Sequence, residues 1–237
     1  MSLLALLDEV SPPTGMGLKE IAELLKLKLP TAHNFLKTMV LLGYVEQQGT
    51  KYFLADKTRT LGWQGRLKDN LRQKVRSALV RLAGELDETV ILTCRSGKFW
   101  QTIFKLEGYH LLTAKAELPI TNNFYISATG RCILSTLPEE ELKNYVDDFR
   151  LPLPSEWKSA TTWEQLKNAL DAIRSSGVEI IDTGYGVIGV GAALPATEDT
   201  SAGAIGVIVP SFRFNGAHKE QIFQKIRQTA QSVFKAK

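Results

Sequence analysis

Near Asp87-Glu-Thr89 the hydrophobic period of this chain changes, and that change limits the folds open to it. Upstream, apolar residues recur at the i, i+3, i+4 spacing of helices packed on one face. Downstream, they gather in short runs such as Val90-Ile-Leu-Thr-Cys-Arg95 and Phe99-Trp-Gln-Thr-Ile-Phe104, which read as strands. One element cannot serve both periods, so a largely helical N-terminal part must precede a sheet-bearing C-terminal part. At 237 residues there is room for both, each with its own core.

In the N-terminal part, Leu3 to Val10 reads as a short helix stopped by Ser11-Pro-Pro13 and a glycine-containing turn. Leu18, Ile21, Ala22 and Leu25 mark a second helix. After the short link Lys26-Leu-Lys-Leu29, Pro30-Thr31 opens a third; proline is tolerated there because its missing N–H has no partner to lose. That helix places Ala32, Phe35, Leu36, Met39 and Val40 on one side and Thr31, His33, Asn34, Lys37 and Thr38 on the other. Gly43 ends it. Tyr44-Val-Glu46 and Tyr52-Phe-Leu54 then bracket Gln47-Gln-Gly-Thr-Lys51 as a hairpin. This order is that of a winged helix-turn-helix, whose second motif helix can enter the DNA major groove.

The head is not basic. Residues 1–58 carry six Lys/Arg and six Asp/Glu, whereas residues 59–81 carry seven basic groups against Asp69 alone, a net of +6. Positive charge beside a neutral head fits a polyanion partner, with Lys37 and Lys51 contributing from the head itself. The neutral head also leaves a second reading open, a metabolite-sensing or interaction protein whose head binds DNA weakly or has lost binding. From Lys57 the pattern runs into a long helix through Leu67, Leu71, Val75, Ala78, Leu79, Leu82 and Leu86, with a bend or break expected near Trp63 between Gly62 and Gly65. The expected organisation is a head over 1–56, a linker helix over 57–72 and a second domain over 73–237.

In that second domain, His110-Leu-Leu-Thr113 is a third expected strand after a tight turn at Ser96-Gly97-Lys98. Ser127-Ala-Thr-Gly-Arg-Cys-Ile-Leu134 reads as a loop entering a helix, and Pro138-Glu-Glu-Glu-Leu142 starts another. Thr161-Thr-Trp-Glu-Gln165 has the form of a capping box for a helix that ends near Gly177. Strands at Val178–Asp182 and Ala204–Val209 follow. A last amphipathic helix, Gly216–Phe234, is expected to bury Ile222, Phe223, Ile226, Ala230 and Val233. Grouped strands mixed with helices suggest α+β with an antiparallel-rich sheet flanked by helices.

Gly184-Tyr-Gly-Val-Ile-Gly189 fits the dinucleotide fingerprint, but the fingerprint needs a helix starting at its glycines. Pro195 and the turn residues after it leave no length for one, so no dinucleotide or other cofactor is expected. The three histidines, His33, His110 and His218, are scattered without metal spacing, and no Ser/His/Asp order or H-E-x-x-H is present, so no catalytic or metal site is expected. Ser127 with Arg131 could bind an anion; a capped helix start is the plainer reading. Cys94 and Cys132 lie in apolar surroundings, are read as core residues and fit a reducing cytoplasm. No apolar run approaches a membrane span, and the start reads as an amphipathic helix rather than a signal peptide.

Several stretches together resemble the IclR-type bacterial transcriptional regulators over nearly the full chain. They are Leu29-Pro-Thr-Ala-His-Asn-Phe-Leu-Lys-Thr-Met39 with Gly43-Tyr-Val45, Lys51-Tyr-Phe-Leu54, Ser127 to Leu134 with Leu137-Pro-Glu-Glu-Glu-Leu142, Gly189 to Pro195, and Val207 to Arg213. The resemblance implies a winged helix-turn-helix joined by a linker helix to a GAF-like effector domain. It implies a homodimer, often a dimer of dimers, that binds a double-stranded operator through helix 30–42 with support from the wing. It also implies a small effector, an organic acid or aromatic metabolite, near Ala128, Thr129, Gly130, Asp182, Gly191, Gly206 and Ile208. Asn34 stands where the family usually has Arg, and Gly191 aligns with a frequent pocket cysteine. The segment from Asp182 is about one residue short, and Gly206 and Ile208 occupy positions that carry serines in some members. With those polar groups gone, the expected ligand is larger or less polar than a two- or three-carbon acid.

Overall fold

The computed structural model describes residue 7, residues 15–55, 58, 69–96, 99–110, 113–114, 121–194 and 202–234. The chain divides into two compact units, Met1–Arg66 and Leu67–Lys237. No helix among the described residues is long and apolar enough to cross a membrane.

The first unit runs β1 (Met16–Gly17), α1 (Leu18–Leu24), α2 (Leu29–Leu41), β2 (Val45–Gln48) and β3 (Lys51–Leu54). Its strands form an antiparallel sheet in the order β1-β3-β2. Leu7, Met16, Ile21, Leu36, Val45, Tyr52 and Leu54 make the core, with Leu18, Leu25, Met39 and Val40 packed against it. Gly43 ends α2 at φ +73, a backbone shape that costs glycine nothing. The hairpin is tighter than its sequence suggests. Gln48 pairs with Lys51, so Gly49 and Thr50 alone make the turn, with Gly49 at φ +62. Gln47 and Gln48 look like loop residues because every side chain of β2 after Val45 is exposed. At two residues, β1 is too short to show a period.

Most of the segment from Lys57 to Lys68, including the expected bend at Trp63, lies outside the described residues, and α3 (Asp69–Leu86) continues without a break past residue 72. The second unit then gives β4 (Thr89–Ser96), β5 (Phe99–Leu106), α4 (Ala128–Ser135), α5 (Glu139–Phe149), α6 (Trp163–Ser176), β6 (Glu179–Asp182), β7 (Val187–Leu194), β8 (Gly203–Pro210) and α7 (Gly216–Phe234). All five strands are antiparallel, in the order β5-β4-β8-β7-β6. α4 lies on β7, β8 and β6, while α7 packs on β7 and β8 and against α3. Strand alternation sends Gly189, Gly191 and Ala193 toward α4 and their neighbours Ile188, Val190 and Ala192 to the opposite face. Beyond α4, the aromatic and aliphatic side chains of α5, α6 and the 124–125 turn close a core that includes Trp100, Phe124, Tyr125, Leu142, Trp157 and Leu166.

Thr162 accepts the Gln165 N–H at 3.3 Å while Gln165 Oε1 accepts the Thr162 N–H, completing the capping box. Gly177 closes α6 at φ +72. Three expectations need correction. His110 sits in a bend and Thr113 in irregular chain, so no strand spans them; Leu111 and Leu112 lie outside the described residues, as do Gly97 and Lys98 of the expected tight turn. Phe223 and Ala230 of α7 are only half-buried, because the seam facing the sheet is narrow and is filled by Ile222, Ile226, Thr229 and Val233. Phe35 is 56% exposed: Ala32, Leu36, Met39 and Val40 seat α2 on the core, and Phe35 falls beyond the edge of that stripe.

The glycines of the apparent dinucleotide fingerprint have other work. Gly184 and Gly186 take φ +75 and +74 in the turn between β6 and β7, and Gly189 is inside strand β7. A strand, not a helix, follows them, so no helix N-terminus is available for a pyrophosphate.

Candidate functional site

Two surfaces carry the residues singled out in the sequence. In the first unit, the side of α2 opposite Ala32 and Leu36 exposes Thr31, His33, Asn34, Lys37 and Thr38. Thr38 Oγ1 donates to the Asn34 carbonyl at 3.0 Å. The Asn34 amide and the Lys37 ammonium have no partner among the described residues, so both are available to an incoming molecule. Lys51, on the hairpin, lies 4.0 Å from the half-exposed Glu20 carboxylate, a weak surface pair. Lys26 and Lys28 are also exposed, in the turn leading into α2. The sequence pattern did not single them out because they lie in a loop. They bring two cations to the N-terminal end of α2, where backbone N–H groups also favour an anion.

In the second unit, the N-terminus of α4 faces the sheet beside a cleft that is open to solvent. Ser127 starts α4 by accepting the Gly130 N–H at 2.9 Å. Arg131 then fixes the approach to the helix. The residue is buried, 8% exposed, and its guanidinium donates to the Tyr125 carbonyl, the Glu156 carbonyl and the Glu179 carboxylate, each at 2.7 Å. It also stacks over Trp157 at 4.2 Å. Burial lowers its pKa, with the Glu179 carboxylate pulling the other way. Arg131 is thus a structural staple, and the capped-helix reading of Ser127 and Arg131 holds. Behind it, Glu156 bonds to Arg150, Asn123 and the Leu153 N–H, and the Arg150 guanidinium holds its carboxyl down at about 2. Cys94 and Cys132 are both buried and form no disulfide, and burial pushes the Cys132 thiol up.

Of the expected effector residues, Ala128, Thr129, Gly206 and Ile208 line the cleft. Three do not. Gly130 is enclosed: a Cβ there would lie 2.4 Å from the Phe124 carbonyl oxygen. Asp182 is exposed and turns away to accept the Gly184 N–H at 2.9 Å. Gly191 is buried under α4, where a Cβ would come within 2.8 Å of the Ala128 carbonyl carbon and oxygen. The cleft instead takes Ile181, Thr183, Val187 and Gly189 from β6, β7 and their turn, with Ile91 and Ile126. The missing signal was strand alternation, since residues 187 and 189 lie on the same face as 191. Among the described lining residues there is no Lys, Arg, His, Asp or Glu; the polar groups there are the hydroxyls of Ser127, Thr129 and Thr183 and the backbone.

The sequence profile of the IclR helix-turn-helix domain matches residues 1–49. That of the bacterial transcriptional regulator IclR C-terminal domain matches residues 67–235, well over half of the chain. The chain belongs to the IclR family of bacterial transcriptional regulators. Among its relatives is the HTH-type transcriptional regulator KdgR of Escherichia coli strain K12, 24% identical over 179 residues, covering 75% of this chain and 68% of that protein. The IclR crystal structure from Thermotoga maritima superposes with a TM-score of 0.61 at 22% identity, over 98% of this chain and 94% of that one. An IclR homologue from Microbacterium hydrocarbonoxydans, crystallised with 4-hydroxybenzoate, gives a TM-score of 0.61 at 19% identity, over 98% of this chain and 95% of that one. At these identities the solved structures establish the shared fold. For an IclR-family chain, the exposed side of α2 and the cleft beside α4 are the two surfaces to be explained.

Proposed function

We propose that this IclR-family protein binds an operator through α2 and a small, largely apolar effector in the cleft beside α4, and that effector occupancy changes operator affinity. One observation carries the first half: α2 is seated in its core by one side while Thr31, His33, Asn34, Lys37 and Thr38 line the other in the open. An amide such as Asn34 can pair with the two adjacent groups of an adenine edge, and a lysine such as Lys37 suits phosphate. Lys51 extends the contact from the hairpin, and the basic run from Arg59 to Arg81 adds sequence-independent attraction.

The second half rests on a cleft with no charge among its described lining residues and on the 4-hydroxybenzoate bound by the Microbacterium relative. A carboxylate on an otherwise apolar effector would be met by the backbone at Ala128 and Thr129, at the start of α4, rather than by a cation. The protein acts as a homodimer, or a dimer of dimers, in the cytoplasm. Residues 57–72 link each head to its effector domain, and a bound effector favours one spacing of the two α2 helices over another.

Selection of genomic fragments by the purified full-length protein tests this reading. It predicts salt-sensitive enrichment of a palindrome-like site. Lys37→Ala should weaken binding at every sequence and reduce the salt slope by about one. Asn34→Ala should relax preference at one base pair, worth about 1–3 kcal/mol. Failure to enrich any sequence at any salt, or indifference to both substitutions, would remove α2 as the reading element.

A further inference from the structure

Three glycines pave the floor of the sheet beneath α4, and two of them are explained by what presses on them. Gly191 pairs across the strands with Gly206. A Cβ on Gly191 would meet the Ala128–Thr129 peptide at 2.8–3.0 Å, and one on Gly206 would meet Ile91 Cγ1 at 2.7 Å and Thr129 Cγ2 at 2.8 Å. This bare pair is therefore the seat into which the first turn of α4 settles. One row along the sheet, the residues abreast are Ile181, Gly189 and Ile208. Among the described residues, a Cβ on Gly189 would touch nothing closer than Ala128 Cβ at 3.9 Å and the Ile181 oxygen at 4.0 Å.

No left-handed φ demands glycine at 189 either. Glycine in a strand interior costs stability, and where it is found another backbone or a ligand commonly approaches closely. Among the described residues no backbone presses closer on a Cβ at 189 than that Ile181 oxygen; Gly189 lines the cleft and is partly exposed, while Ile188, Val190 and Gly191 are buried. The two isoleucines stand two strand spacings apart, about 10 Å between backbones, with the bare glycine as a trough between them.

We propose that Gly189 determines effector specificity, by leaving a trough between Ile181 and Ile208 that receives a flat apolar ring lying against β7. This rests on the reading of the cleft as the effector site and deepens it. The ring enters where residue 189 has no side chain, and its polar end lies toward Ala128 and Thr129. Any side chain at 189 competes with the ring for the same space, whereas a small acid held only at the start of α4 does not need the trough.

Full-length wild type, Gly189→Ala and Gly189→Val are compared by calorimetric titration with benzoate, 2-naphthoate and pyruvate, with thermal unfolding of each unliganded protein as the control for folding. Wild type is expected to bind an aromatic acid more tightly than pyruvate. A single added methyl should weaken aromatic binding by about tenfold, valine should abolish it, and the unliganded melting temperature of Gly189→Ala should not fall. Aromatic binding by Gly189→Val within twofold of wild type overturns the trough while leaving the cleft as the effector site. Pyruvate bound tightly by wild type and neither aromatic acid bound at all overturns the apolar reading of the cleft together with the trough.

Discussion

Glu156 shows how much of the site's rigidity comes from residues that never meet a ligand. Its carboxylate ties Arg150, Asn123 and the Leu153 N–H together, and its own carbonyl accepts from Arg131. The Arg150 guanidinium holds its pKa near 2, well below the usual 4.5. A carboxyl lowered by folding stabilises the folded state above its unfolded value and loses that contribution as pH falls through its folded one. It should be complete above about 4.5 and fade toward 2. Urea unfolding of wild type and Glu156→Gln across that range checks it: the wild-type advantage should shrink steadily below 4.5, and a gap that stayed constant would contradict the assignment. No spacing or motif announces this network, because its members are joined by folding rather than by their order along the chain. Asp182 and Gly191 illustrate the same limit. The resemblance implies an effector near both, yet neither lines the cleft: one caps its own turn and the other lies beneath a helix.

At the scale of elements, long amphipathic segments were legible and short or two-sided ones were not. The helices at 128–135 and 163–176 carry side-chain caps, that at 216–234 a steady period, and each forms where those signals lie. The two-residue β1 and the exposed β2 carry neither signal. The cleft was the least legible part, because Ile181, Gly189 and Ile208 become neighbours only through strand pairing across nearly thirty residues of sequence. The α1–α2 connection makes a related point. Lys26 holds φ +54 at the end of α1, with the Leu27 N–H bonded back to the Ala22 carbonyl at 2.8 Å. A side chain in that conformation costs roughly 1 kcal/mol that glycine avoids. Lys26→Gly should therefore stabilise the first unit by up to about 1 kcal/mol in urea unfolding, while weakening operator binding through the loss of a cation at the entrance to α2. A variant both less stable and equally tight on DNA would show that Lys26 serves the turn alone.

For the molecule as a whole, the change of period near residue 87 marks where helix gives way to sheet, while the two compact units divide between Arg66 and Leu67, inside the stretch 57–72 read from the sequence as a linker. The helical pattern before the change belongs to both: α3, at 69–86, is the first described element of the second unit. What sequence left unassigned is how the two functions communicate. The proposal requires that a ligand seated on β7 change the affinity of α2 for its operator, a coupling of the kind that ligands with unequal affinity for two states produce. Fluorescence anisotropy of a selected operator, titrated with wild type and with Gly189→Val in the absence and presence of saturating aromatic acid, measures that coupling directly. The account predicts that the acid shifts wild-type operator affinity by about fivefold or more and leaves the affinity of Gly189→Val unchanged. Equal operator affinity for wild type with and without the acid, at concentrations that fill the cleft, would contradict it.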